Sequence, residues 1–142
     1  GAMVIHLRTG HYGDAQPFQV EDRWINPGAA PGVERIDFHR INANEWLVRN
    51  FPWLRADMAF SAENANARDA RLLETRQGTA LLILQRTTFN DLGAITTVRL
   101  AFHPGYQQIA TPKSRLAFDR PSPNRASNPK KEKPWPAPIS TS

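Results

Sequence analysis

The sequence predicts an α+β fold: a mainly antiparallel sheet with helices packed on one side. Three observations predict it. Strand-like runs are joined by short turn-rich links, which favours hairpins and antiparallel pairing. Two short helical stretches sit between the strands, each preceded by an Asn able to cap it. The charge also divides unequally. Residues 111–142 hold seven Lys and Arg against two acidic residues, whereas residues 1–110 carry eleven Arg and eleven acidic residues. A neutral domain is therefore expected at 4–110, followed by a basic, Pro-rich tail at 111–142. That tail cannot bury enough apolar surface to offset its ordering entropy and is expected to be disordered. It reads as a solvated linker, with phosphate contact as the alternative.

Val4–Thr9 reads as the first strand and Gly10 to Gln16 as a turn marked by Gly10, Gly13 and Asp14. Pro17 opens an alternating strand, PFQVEDRWIN. Phe18, Val20, Asp22 and Trp24 share one of its faces and Gln19, Glu21, Arg23 and Ile25 the other. Neither face is purely apolar, so one of them can line a cavity. Asn26 to Gly32 is a loop, with two prolines and two glycines. Asn42 or Asn44 then caps a helix from about Glu45 to Asn50, stopped by Pro52. Leu54–Ala62 reads as a strand and Asn66–Thr75 as a helix with Asn66 at its cap. Gly78 is the expected left-handed residue that ends it. Two apolar strands follow, Leu81–Thr88 and Ala94–Phe102, joined at Asn90-Asp91-Leu92-Gly93 and closed by His103-Pro104-Gly105.

The chemistry on offer is limited. The chain has no cysteine, which excludes disulfides, thiolate nucleophiles and cysteine zinc sites. His6, His11, His39 and His103 lack the i, i+4 spacing of a helical metal site, and no metal or cofactor is expected. No dinucleotide, phosphate-loop, serine-hydrolase or zinc-protease motif occurs. No run is long enough to span a bilayer. Gly1-Ala2-Met3 reads as a processing scar and is set aside. Glu21 and Arg99 each fall mid-strand among apolar neighbours. A charge so placed is solvated, paired, or turned to a wet cavity, and the pattern alone leaves all three open. His6 and Arg8 on the first strand are candidates for the same cavity, with Arg86 in reserve. His11 and His39 read as loop residues.

Two segments, PFQVEDRW and TTVRLAFHPG, carry a more specific signal. With NANEWL and LLILQRTTFND they give residues 4–110 a sequence that resembles the effector-binding (UTRA) domain of GntR-family transcription regulators, in the histidine-utilisation repressor subfamily. The resemblance implies a chorismate lyase-like fold, a cytoplasmic repressor without enzymatic activity, and a homodimer. DNA is held in that family by a winged helix-turn-helix, which this sequence does not contain. The implied effector is urocanate or a related small carboxylate. The implied ligand-binding residues are His6 and Arg8 at an Arg-x-Arg position, Glu21, Asn42, Asn44, Arg99 and Tyr106. Arg99 or Arg8 would take the carboxylate and Glu21 an imidazole N–H. The family's first strand and helices are expected to be missing here, which would leave a sheet edge open for a second chain. The rival readings are a chorismate lyase-like enzyme acting on a small carboxylate and a dimerisation module without ligand.

Overall fold

A computed structural model describes residues 3–109 and 111. The basic tail assigned to 111–142 therefore lies outside the described residues, Thr111 apart. Five strands form one antiparallel sheet: β1 (Ile5–Gly13), β2 (Gln16–Ile25), β3 (Arg55–Asn64), β4 (Ala80–Asn90) and β5 (Gly93–Phe102). Their spatial order is β1-β2-β5-β4-β3. Two helices, α1 (Ala43–Asn50) and α2 (Ala67–Leu72), and a 3-10 turn at Val33–Arg35 complete the described elements. No helix is long and apolar enough to cross a membrane.

The first hairpin is longer than the sequence suggests. Asp14 and Ala15 both take left-handed backbone angles (φ 50 and 62). They make a two-residue link whose twist matches that of the flanking strands. β1 consequently runs on through residues expected in a turn, with a register irregularity between His11 and Tyr12. His11 becomes a buried strand residue opposite Gln19, not a loop residue.

The antiparallel sheet is as expected, but the two helices pack on opposite faces. On one face Leu47 of α1 packs with Ile25, Val33 and Ile95. On the other, Ala70 of α2 and the adjoining Leu73 pack with Val20, Leu81, Ile83 and Ala101. The alternation of β2 explains this, because both of its faces carry side chains that must be buried. A bulge adds to the α1 side. Thr88 pairs with Thr96 and Phe89 with Ala94, leaving Ile95 as an extra residue. A bulge re-aims its side chain, and Ile95 joins Ile25 and Leu47.

Both helices start as the sequence indicates. Asn42 Oδ1 accepts from Glu45 N–H (3.0 Å) and Asn66 Oδ1 from Asp69 N–H (2.8 Å). Of the two caps considered for α1, Asn42 is the one used. Gly78 is left-handed, with φ 86, but it does not end the helix as expected: α2 stops at Leu72, with Leu73 as its cap and a left-handed Glu74 (φ 52) next.

Candidate functional site

Between β1–β2 and residues 33–43 lies a cleft of about 700 Å³, within the size range of small-molecule sites. Its walls include Leu7, Thr9, His11, Glu21, Phe38 and Asn42. Thr9 and Glu21 are paired across the first hairpin, so they meet on the α1 face. The first residues of α1, Asn42 and Ala43, also border the cleft. The positive end of that helix dipole is thus near the cleft wall.

Behind Glu21 is a buried charged cluster. Arg23, only 1 % exposed, donates from Nε to Glu21 Oε2 (3.1 Å) and from Nη2 to Glu21 Oε1 (3.2 Å). Its guanidinium also reaches Asn44 Oδ1 (3.3 Å) and Thr96 Oγ1 (3.4 Å). Arg86 Nη2 donates to the same Asn44 oxygen (3.3 Å). His11 Nε2 is 3.7 Å from Glu21 Oε1, too far for a hydrogen bond. Both His11 ring nitrogens and Asn44 Nδ2 are buried without a hydrogen-bond partner.

Charge does not balance here. Two guanidinium groups face one carboxylate. Burial alone would raise the pKa of Glu21, but the Arg23 charge and the neighbouring His11 reverse this and hold it at about 2. Arg86 is pushed down to about 10, by burial first and then by the like charge of Arg23. Glu21 is therefore ionised and Arg86 protonated at neutral pH, and two guanidinium groups against one carboxylate leave one positive charge in excess. Such a cluster favours an anion nearby, while the ionised Glu21 can accept a hydrogen bond from a donor in the cleft.

The other face holds a separate and better-balanced network. Asp22 is buried and bound by His6 Nε2 (3.2 Å), Arg8 Nε (2.9 Å) and Arg68 Nη2 (2.7 Å). Burial would raise its pKa; the hydrogen bond from Arg8 and the charge of Arg68 lower it instead. Arg99 pairs with Glu63 (2.7 Å) and Asp69 (3.0 Å). The ring of His6 stacks on Trp24 at 4.8 Å.

The residues proposed from sequence therefore divide between two faces. Glu21, Asn42 and Asn44 come together on the α1 side. The side chains of His6, Arg8 and Arg99 belong to the Asp22 side, although Arg8 also borders the cleft at the β1 edge. Glu21 and Arg99 cannot grip one small ligand between them, because Arg99 pairs in register with Asp22, the neighbour of Glu21 that points the opposite way. Tyr106 stacks on Phe18 (5.4 Å) and Phe102 (5.0 Å) and is not among the cleft residues. Sequence reasoning missed His11, Thr9 and Arg23, while Arg86, a reserve candidate, does lie in the cluster behind the cleft. Regular counting through a two-residue turn at Asp14-Ala15 would have set Arg8 opposite Glu21; the register irregularity between His11 and Tyr12 brings Thr9 and His11 to the Glu21 face instead.

An antiparallel sheet flanked by helices, with a cleft of ligand size against one face, is an architecture suited to holding a small molecule. The C-terminal domain of the histidine utilization repressor from Pseudomonas syringae pv. tomato str. DC3000 superimposes with a TM-score of 0.70 at 24% identity, over 79% of each chain. The effector-binding domain of the Bacillus subtilis trehalose repressor gives 0.65 at 10% identity, over 78% of this chain and 79% of that one. The family model of the UTRA domain matches residues 1–107, and the chain belongs to that family. Curated relatives are the histidine utilization repressors of Pseudomonas aeruginosa (31% identical over 105 residues) and Klebsiella aerogenes (26% over 105 residues). The matched region is 74% of this chain but 42% and 43% of those relatives, so the chain spans about two-fifths of their length.

Proposed function

We propose that this domain is the effector sensor of a transcriptional repressor of histidine utilisation, and that a small carboxylate such as urocanate binds in the cleft over Glu21. The observation that carries the reading is the buried Glu21–Arg23–Asn44–Arg86 cluster, with its excess positive charge and unpartnered His11 behind a cleft of ligand size. Glu21 accepts from the ring N–H. The carboxylate lies toward the start of α1, where backbone N–H groups and the helix dipole favour an anion. His11 supplies a further donor or acceptor as its tautomer allows.

The regulatory step is a population shift. A ligand that binds one arrangement of a dimer more tightly moves the equilibrium toward it and repositions DNA-binding domains outside this sequence. Names of the curated relatives and membership of the UTRA family support this reading. Calorimetry of the 142-residue chain with urocanate tests it, with acetate as a control for non-specific anion binding and ultraviolet absorbance to follow the fate of the ligand. Saturable urocanate binding without turnover is expected. No binding contradicts the sensor reading, and conversion of the ligand favours the enzyme reading instead.

A further inference from the structure

The cleft is larger than a small carboxylate needs. Its volume of about 700 Å³ suits a drug-sized molecule, whereas urocanate is a single ring with a short acid arm. The floor has a direction. Ile5, Leu7, Thr9 and His11 alternate along β1 and share the face that borders the cleft. From Ile5 to His11 this floor runs about 20 Å at the usual rise of a strand.

Polarity changes along it. Thr9 and His11 lie at one end with Glu21. At the other end Ile5, Leu7 and Phe38 pack against the core under α1, and Ile36 and Ile41 stand on the wall formed by residues 33–43. None of these five apolar side chains is fully buried, and Ile41 is 44 % exposed. Asp37 and Arg40, on the same wall, pair with each other at 3.6 Å and are themselves exposed. Apolar surface left open inside a cleft, continuous with a polar end, is surface that a ligand can cover.

We infer, resting on the placement of the head group proposed above, that the effector has a second part: an aliphatic arm that runs outward from the Glu21 end over Ile5, Leu7 and Phe38 to the rim at Ile41. The ligand class is an imidazole-bearing carboxylate extended by an apolar chain. Two features favour an arm of the same ligand over a separate apolar molecule. Leu7 and Thr9 are successive residues on the cleft face of β1, so the apolar stretch begins where the polar one ends. Charge is also concentrated at the Glu21 end, where the ionised carboxylate accepts an N–H but repels an acid head that brings no donor. A simple fatty acid therefore lacks the group that Glu21 recognises, and an imidazole head supplies it.

Calorimetry of the 142-residue chain tests this with urocanate, N-acetyl-, N-butanoyl- and N-hexanoyl-L-histidine, and hexanoate. Affinity is expected to rise with each extension of the acyl chain, by up to about fourfold for every methylene buried. Hexanoate is expected to bind more weakly than N-hexanoylhistidine. Phe38→Ala and Ile41→Ser should each shrink the ratio of hexanoyl to acetyl affinity. That ratio is taken within one protein, so a smaller folded fraction does not imitate the effect, and Ile41 at the exposed rim serves if Phe38→Ala does not fold. If urocanate and N-acetylhistidine bind but longer chains add nothing, or if both variants keep the full ratio, the apolar arm fails and the head site stands. If hexanoate binds as tightly as N-hexanoylhistidine, the arm is not part of a two-part ligand and the inference fails. If no ligand of the series binds, the head site and the arm fall together.

Discussion

Glu21 and Asp22 are neighbours on β2 and serve opposite faces of the sheet. Glu21 is held by Arg23 beside the cleft, and Asp22 is held by His6, Arg8 and Arg68 on the α2 side. Each is a buried carboxylate kept ionised by guanidinium partners. Only the first belongs to a cluster with surplus positive charge next to a cavity. That difference separates a candidate ligand site from a structural ion-pair network.

The low pKa of Glu21 makes folding sensitive to acid. Its folded value of about 2 lies below its ordinary value of 4.5. A depressed folded pKa contributes stability that is fully present above the unfolded value and is lost as pH falls through the folded one. Urea midpoints are therefore expected to fall between pH 4.5 and 2. Glu21→Gln should flatten that slope, leaving the part that comes from Asp22. An unchanged slope would contradict the burial and pairing described for Glu21.

Arg23→Met removes the bidentate partner and leaves a buried carboxylate unpaired. The expected cost is about 3–5 kcal/mol in chemical denaturation. Combining it with Glu21→Gln should cost less than the two single changes added together, since the two groups interact directly. Strict additivity would argue against the pair.

The two helix caps separate stability from binding. Asn42→Ala and Asn66→Ala should each cost about 0.5–2 kcal/mol. Only the first is expected to weaken ligand binding as well, because α1 borders the cleft and α2 lies on the other face. Thermal melts and calorimetry on both variants check this.

Much of the fold was legible because local signals and tertiary structure agree. The alternation of β2, the two Asn caps and the left-handed Gly78 all follow from residue chemistry. The sequence also resembles the family to which the chain belongs. What was not legible depended on register. Asp14 and Ala15 are neither glycine nor asparagine, so their left-handed link was hidden and His11 read as a loop residue. Arg23 read as an ordinary strand cation and Arg86 only as a reserve candidate, because the partner they share, Asn44, lies on a helix more than twenty positions away from either in sequence. Arg99 and Glu21 looked alike in pattern, and only the pairing of Arg99 with Asp22 places them on opposite faces.

The central claim is that the effector site lies on the Glu21 face. Urocanate calorimetry on the unmodified chain, Glu21→Gln and Arg99→Ala tests it most directly. Glu21→Gln should weaken binding by about 1.5–3 kcal/mol, the range for a hydrogen bond to a charged group. Arg99→Ala should lower stability but leave affinity unchanged. Unchanged binding in Glu21→Gln together with loss in Arg99→Ala would contradict the account and move the site to the opposite face.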